Sequence, residues 1–398
     1  MAASNLANVL AVQHRLREAE SLYQEALARA TEAELDVMAA MIECNLGCFA
    51  LDQGRYDQAL DWLERSRRHY TTLDVPYELA GVELELADTY LELNLAPEAA
   101  AIYARVTPAF AEMGMRAEHA RACANHGRAC LLLGKHEIAE TLLLEAQALY
   151  AAEGNAVGAA LVMLIEAQMY YAQGNYDAVV DLTLEAENSL ADANIWGRLL
   201  LARWLYGDTL AALGQLQPAE TLLNSTLHHA ERWVVPPIVQ RCHTSLGLLA
   251  ASAGNMERAE AAFIQAVEVI EALRAPLPAE EFRTAFVADK LAPYTELARI
   301  CLADPREARV TEALAYVERA RARALADMLG GEIPVRYTAL DRFGTKLLAR
   351  LEEQQAELNW FYSQINRPRD GDFSRSDAVM EELHQAVRTR ETAILEIS

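Results

Sequence analysis

Between residues 160 and 190 the apolar positions fall on two helical stripes separated by a break. Ala160 to Ala172 carries apolar side chains at 161, 164, 165, 167 and 171, which is a helical period. Gly174-Asn175 interrupts it, and a second helix is predicted from Tyr176 to about Leu190, with Val179, Leu182 and Ala186 on one face. The same punctuation returns every 40 residues. Gly54, Gly134, Gly174, Gly214 and Gly254 share one register, with His14 and Asn94 in the two remaining places. Five residues after each stands Ala19, Ala59, Ala99, Ala139, Val179, Ala219 or Ala259. Seven residues before each stands Ala7, Gly47, Ala87, Gly127, Ala167, Gly207 or Gly247, and twelve after stands Ala26, Ser66, Val106, Ala146, Ala186, Thr226 or Ala266. Small side chains at these places let two helices approach closely. An isolated pair would leave one face wet, so each pair must stack on the next. The pattern predicts an all-α solenoid of seven helix pairs over residues 1–275. At Asn94 the turn glycine is missing and Pro97 follows, so a distorted turn is expected there.

After Leu273 the register fails at Pro276 and Pro278. Two longer helices are predicted at roughly 280–302 and 308–329, a terminal pair occupying 276–332. In 333–398 two further stripes step by four and three: Leu347, Leu351, Gln354, Leu358, Phe361 and Ile365, then Val379, Leu383, Ala386, Arg390, Ala393 and Ile397. Each is an a/d seam. The polar loop Asn366–Asp372 joins them, so an antiparallel helical hairpin is expected.

The order of small residues and the turns at Gly54-Arg55-Tyr56 and Gly174-Asn175-Tyr176 resemble the tetratricopeptide repeat. The unit of 40 residues departs from the usual length of about 34, as in the long-repeat subgroup of bacterial sensors and regulators. The resemblance implies a right-handed α-α superhelix whose first helices line a concave face, at positions ten and six residues before each turn. Those sets read Ser4, Cys44, Leu84, Ala124, Leu164, Trp204, Thr244 and Asn8, Cys48, Asp88, Arg128, Gln168, Asp208, Leu248. Leu84, Asp88, Arg128, Leu164, Gln168, Tyr171, Trp204 and Asp208 are therefore the candidate groove for an extended peptide or a partner helix. Relatives that clamp a C-terminal carboxylate use several basic or amide groups at these places. Only Arg128 and Asn8 qualify here, so that ligand is not expected.

Phe282-Arg283, Phe286, Tyr294, Leu297 and the run Glu318-Arg319-Ala320-Arg321-Ala322-Arg323-Ala324-Leu325 resemble the last repeat before a CHAT domain, a caspase-like module of bacterial proteins. That likeness implies a protease-like domain in cis, C-terminal to these residues, which would carry the catalytic His and Cys. The chain opens inside a first helix and stops about where such a domain would begin, so a longer protein is expected. The alternative is the ligand-sensing arm of a bacterial transcriptional activator, whose repeats are also long. It ranks second because no helix-turn-helix and no basic patch are present.

Charge narrows the partners further. The net charge is −23; residues 1–300 hold 21 Lys+Arg and 41 Asp+Glu, leaving 14 and 17 beyond. A field of this sign repels phosphate backbones and anionic lipids, so neither nucleic acid nor a membrane is an expected partner. No apolar run is long enough to span a bilayer, and six scattered cysteines suit a reducing, cytoplasmic setting. No Ser/His/Asp order, phosphate-cradling loop or paired carboxylate stands out, so catalytic and cofactor-binding residues are not expected. His119, Cys123, His126 and Cys130 share one helix face but span about 16 Å, too far for one tetrahedral ion, and no metal site is expected from them. Cys44 and Cys48 lie one helical turn apart without a neighbouring cation. Arg319, Arg321 and Arg323 read equally as a solvent-facing stripe or as a docking surface for a C-terminal domain.

Overall fold

The structure is a computed structural model that describes residues 2–329 apart from Asn194, Ala279 and Pro305; the expected hairpin of 333–398 lies outside the described residues. Among those described, seventeen helices succeed one another and no strand occurs. The first helices of the seven pairs are α1 (Ala2–Val12), α3 (Asp36–Asp52), α5 (Pro76–Glu92), α7 (Arg116–Leu132), α9 (Ala156–Ala172), α11 (Trp196–Ala212) and α13 (Pro236–Ser252). The second helices are α2 (Leu16–Glu32), α4 (Tyr56–Leu73), α6 (Ala96–Glu112), α8 (His136–Ala152), α10 (Tyr176–Asp192), α12 (Leu216–Arg232) and α14 (Met256–Arg274). Then come α15 (Glu280–Val287), α16 (Ala292–Ala303) and α17 (Glu307–Leu329). The segment expected as one helix over 280–302 is thus two. Pro293, which has no N–H to give, sits in the first turn of α16 and restarts the helix there.

The helices are cut to length by a left-handed residue. His14, Glu34, Gly54, Asp74, Asn94, Gly114, Gly134, Gly154, Gly174, Gly214, Val234 and Gly254 all have φ between 53° and 76°, spaced by twenty residues except for the forty between Gly174 and Gly214, where Asn194 is not described. Around Gly134 the Lys135 N–H bonds back to the Cys130 carbonyl at 2.8 Å and the Gly134 N–H to Leu131 at 3.0 Å. This pair of bonds is the Schellman closure, which satisfies carbonyls a helix end would otherwise leave open. The turn at Asn94 is not distorted: its φ is 67°, with Leu95 N–H to Tyr90 at 2.9 Å and Asn94 N–H to Leu91 at 3.1 Å. Asparagine tolerates the left-handed region, and Pro97 falls in the first turn of α6, where its missing N–H costs nothing.

Every one of the small residues seven before, five after and twelve after the turn is buried. Their purpose shows at Gly47 and Gly247. A Cβ on Gly47 would lie 2.5 Å from Leu63 Cγ, and one on Gly247 would lie 2.5 Å from Phe263 Cε1. Leu63, Tyr103, Leu143, Leu223 and Phe263, nine residues after their turns, are no more than 2% exposed. Each large side chain is received by the small residue of the facing helix, which is how interior packing density is reached at so short an interhelical distance.

The array also meets itself. Tyr56 and Phe286 approach with ring centroids 5.5 Å apart, Tyr90 stacks on Phe282 at 6.3 Å, and His14 stacks on Trp233 at 5.4 Å. Leu93 and Leu95 belong to the same buried cluster as Phe263, Ile270, Leu277 and Tyr294. The edge of the second and third pairs is therefore sealed against the seventh pair, α15 and α16, and the superhelix closes around its concave face.

Val234 is β-branched and still holds φ 55°, whereas nothing lies within 4 Å of a Cβ placed on Gly134. Val234→Gly is expected to raise stability by about 1 kcal/mol, and Gly134→Ala to lower it by about 1 kcal/mol, through backbone strain alone. Urea midpoints of the two variants test this.

Candidate partner-binding channel

The concave face is a ladder of polar groups that passes from one first helix to the next. Asp88 on α5 accepts hydrogen bonds from Tyr103 Oη at 2.5 Å and from Asn125 Nδ2 on α7 at 2.7 Å, and is ion-paired with Arg121. Arg121 also grips Glu85 at 2.6 and 2.7 Å. Arg128 on α7 donates to Glu92 on α5 at 2.7 Å. Further along, Asp208 on α11 accepts from Tyr171 Oη on α9 and, at 2.5 Å, from Ser245 Oγ on α13. Ser245 Oγ in turn accepts from Trp204 Nε1 at 3.1 Å, and the Arg241 guanidinium lies 4.6 Å from the Trp204 ring.

The candidate groove residues divide accordingly. Tyr171, Trp204 and Asp208 come together in one network; Asp88 and Arg128 sit in a second. Leu84 and Leu164 are only 1% and 3% exposed, packed in the clusters between helices, so they offer no surface to a ligand. Gln168 is half-buried and makes no hydrogen bond to another described residue. It lines, with Arg128, Tyr56, Gln240, Arg241 and Lys290, a cavity of about 410 Å³. A wider cavity of about 740 Å³ runs along the seam beside Trp62 and Phe282, where Arg65, Arg67 and Arg105 are all ion-paired.

Sequence periodicity did not single out Ser245, Arg241, Glu92 or Lys290. Ser245 had a signal: it stands nine residues before its turn, as Asn125 does, and both reach an aspartate 37 residues upstream. Arg241 and Lys290 had none, because only closure of the superhelix delivers them to the channel.

Burial alone would raise the Glu92 carboxyl, but Arg128, Arg198 and Arg241 outweigh it and hold the group at about 2. Burial pushes the Lys290 ammonium down, opposed by Asp289 at 2.6 Å. The Cys48 thiol is raised well above its ordinary range, first by its hydrogen bond with Cys44 and then by burial.

Comparison with known proteins places the fold. A tetratricopeptide repeat family profile matches residues 1–72, and no curated protein matches the sequence. The fold is similar to that of a Rap protein complexed with Competence and Sporulation Factor (TM-score 0.53, 12% identity), covering 80% of this chain and 98% of that one. Weaker likenesses are to NprR in complex with its cognate peptide NprX (0.43, 12% identity, 85% and 98% covered) and to a STAND ATPase with a tetratricopeptide repeat sensor from Pyrococcus horikoshii (0.46, 13% identity, 82% and 48% covered). The chain is a tetratricopeptide-type α-solenoid.

Because the Glu92 carboxyl is lower in the folded chain than its ordinary 4.5, its contribution to stability is present above that pH and is lost as pH falls towards about 2. Glu92→Gln is expected to flatten this part of the acid limb. Denaturant midpoints of both proteins, measured across that range, check it.

Proposed function

We propose that this chain is a non-catalytic scaffold that holds a peptide or a segment of a partner protein inside its closed superhelix. The observation that carries this is the cavity of about 410 Å³ at the inner face, a size suited to a few side chains of a ligand. Most charged groups around it are committed to one another, Arg128 to Glu92 and Lys290 to Asp289. The Arg241 and Gln168 side chains make neither an ion pair nor a hydrogen bond among the described residues, although Arg241 lies near enough to Glu92 and Asp289 to lower both carboxyls. Likeness of fold to the Rap protein, which was captured with a bound factor, supports the same reading. Tyr56 supplies an aromatic side chain to the cavity lining, and Trp204, outside that lining, holds the Arg241 guanidinium 4.6 Å from its ring.

We further infer that the array is the sensor region of a longer CHAT-type protease-like protein. The support is Phe282, Phe286, Tyr294 and the arginine-rich helix, and here Phe282 and Phe286 are also the residues of the seam. A ligand that shifts the superhelix would load that seam first and so reach the chain beyond α17.

Arg128 is unsuited to a test, since its loss would strand Glu92. Gln168→Ala with Arg241→Ala removes the two side chains that make no ion pair or hydrogen bond and leaves the Arg128–Glu92 pair in place, with unchanged helix content by circular dichroism checking that the fold is kept. A peptide selected on the wild-type chain from a displayed random library is expected to bind this double variant at least tenfold more weakly, the effect of about 1.4 kcal/mol. Unchanged binding, read by fluorescence anisotropy, would remove the channel as the binding site.

A further inference from the structure

The repeats allow one pair of positions to be compared from unit to unit. Eleven residues before the turn and eleven after it, the second unit carries Glu43 and Arg65, bonded at 2.9 Å, and the third carries Glu83 and Arg105, at 2.8 Å. In the fourth unit the same places are Cys123 and Glu145. The cation has gone, and both groups that remain become anions when they lose a proton. One helical turn before Cys123 stands His119, whose Nε2 lies 3.4 Å from Glu145. The ligand atoms of all three lie within 4.8 Å of one another.

We propose that His119, Cys123 and Glu145 bind a zinc ion, which takes the place that arginine holds in the two preceding units. Imidazole, thiolate and carboxylate are the ligand types this borderline-soft ion accepts, and three protein ligands with a water in the fourth position form an open tetrahedral site. The environment fits an open site. Cys123 is fully buried, His119 is 13% exposed and Glu145 48%, so one side faces water. As the zinc–sulfur bond forms, the Cys123 thiol proton passes to solvent and the bonded carboxylate of Glu145 supplies the second negative charge. The helix-face set of His119, Cys123, His126 and Cys130 is too long for one ion, but α8 delivers a ligand that no periodicity on α7 can show. His126 and Cys130 stand aside: the His126 ring stacks on Tyr103 at 6.1 Å, and Cys130 is buried.

A second cluster in the fold shows what a satisfied site of this kind looks like. Glu260, Cys301 and Glu312 also converge, but Arg309 bonds both carboxylates and already supplies the cation. Among the described residues, no arginine or lysine pairs with Glu145.

Cobalt(II) is the probe, because a cysteine thiolate bound to it absorbs in the near ultraviolet and a tetrahedral ion absorbs in the visible. The full chain, treated with chelator and titrated with cobalt(II), is expected to develop both absorptions at one equivalent, and zinc(II) is expected to displace them. Cys123→Ser should abolish the thiolate band. Glu145→Gln, a change at a half-exposed side chain that does not threaten the core, should weaken binding at least tenfold. The double variant Cys44→Ser/Cys48→Ser should keep the band. Absence of the band in the wild-type chain, or its survival in Cys123→Ser, would overturn the site.

Discussion

One residue in twenty must adopt a left-handed backbone, and the rest of the structure depends on that constraint. It closes each helix with two backbone hydrogen bonds and reverses the chain in three residues, so successive helices lie antiparallel and in contact. Seventeen-residue helices then present the same side chains at the same height in every unit. Small residues seven before the turn face large ones nine after it in every unit but the fifth, where Thr183 takes that place, and this pairing sets how closely helices pack. A stack with one repeated geometry winds steadily, and over seven pairs it returns to its own edge.

That return gives the concave face its character. An open array would present a long polar groove. Here Tyr56, Tyr90, Leu93 and Leu95 meet Phe282, Phe286 and Leu277, and the groove becomes a channel with Arg241 and Lys290 carried in from the far end. Much of the polarity inside belongs to the fold. Asp88 and Asp208 join consecutive first helices, each accepting from a residue 37 positions later. The acidic chain thus holds Arg121 and Arg128 by internal pairing.

The all-α solenoid and the partition into pairs were legible because a period of 40 repeats seven times, and each small residue in that period is buried. Five of the twelve left-handed turns were not. Glu34, Asp74, Gly114, Gly154 and Val234 share a backbone conformation, but only two of them are glycine, so nothing marked them as one class. Parts of the inner face were legible: Tyr171, Trp204 and Asp208, picked by register, meet in one hydrogen-bond network, and Arg128 and Gln168 line the cavity, whereas the same register placed Leu84 and Leu164 on a face where they are in fact buried between helices. Register counts residues along one helix and cannot tell which side a curved stack covers. Closure was illegible altogether, since no local pattern relates residue 56 to residue 286.

Closure is the central claim, and small-angle X-ray scattering of the wild-type chain beside Tyr90→Ala/Phe282→Ala tests it most directly. The wild-type profile should fit a superhelix closed along its seam, and the double variant, which loses the stacked rings while keeping every turn, should show a larger radius of gyration at unchanged helix content. A wild-type profile that already fits an open, extended array, with no change on substitution, would contradict it.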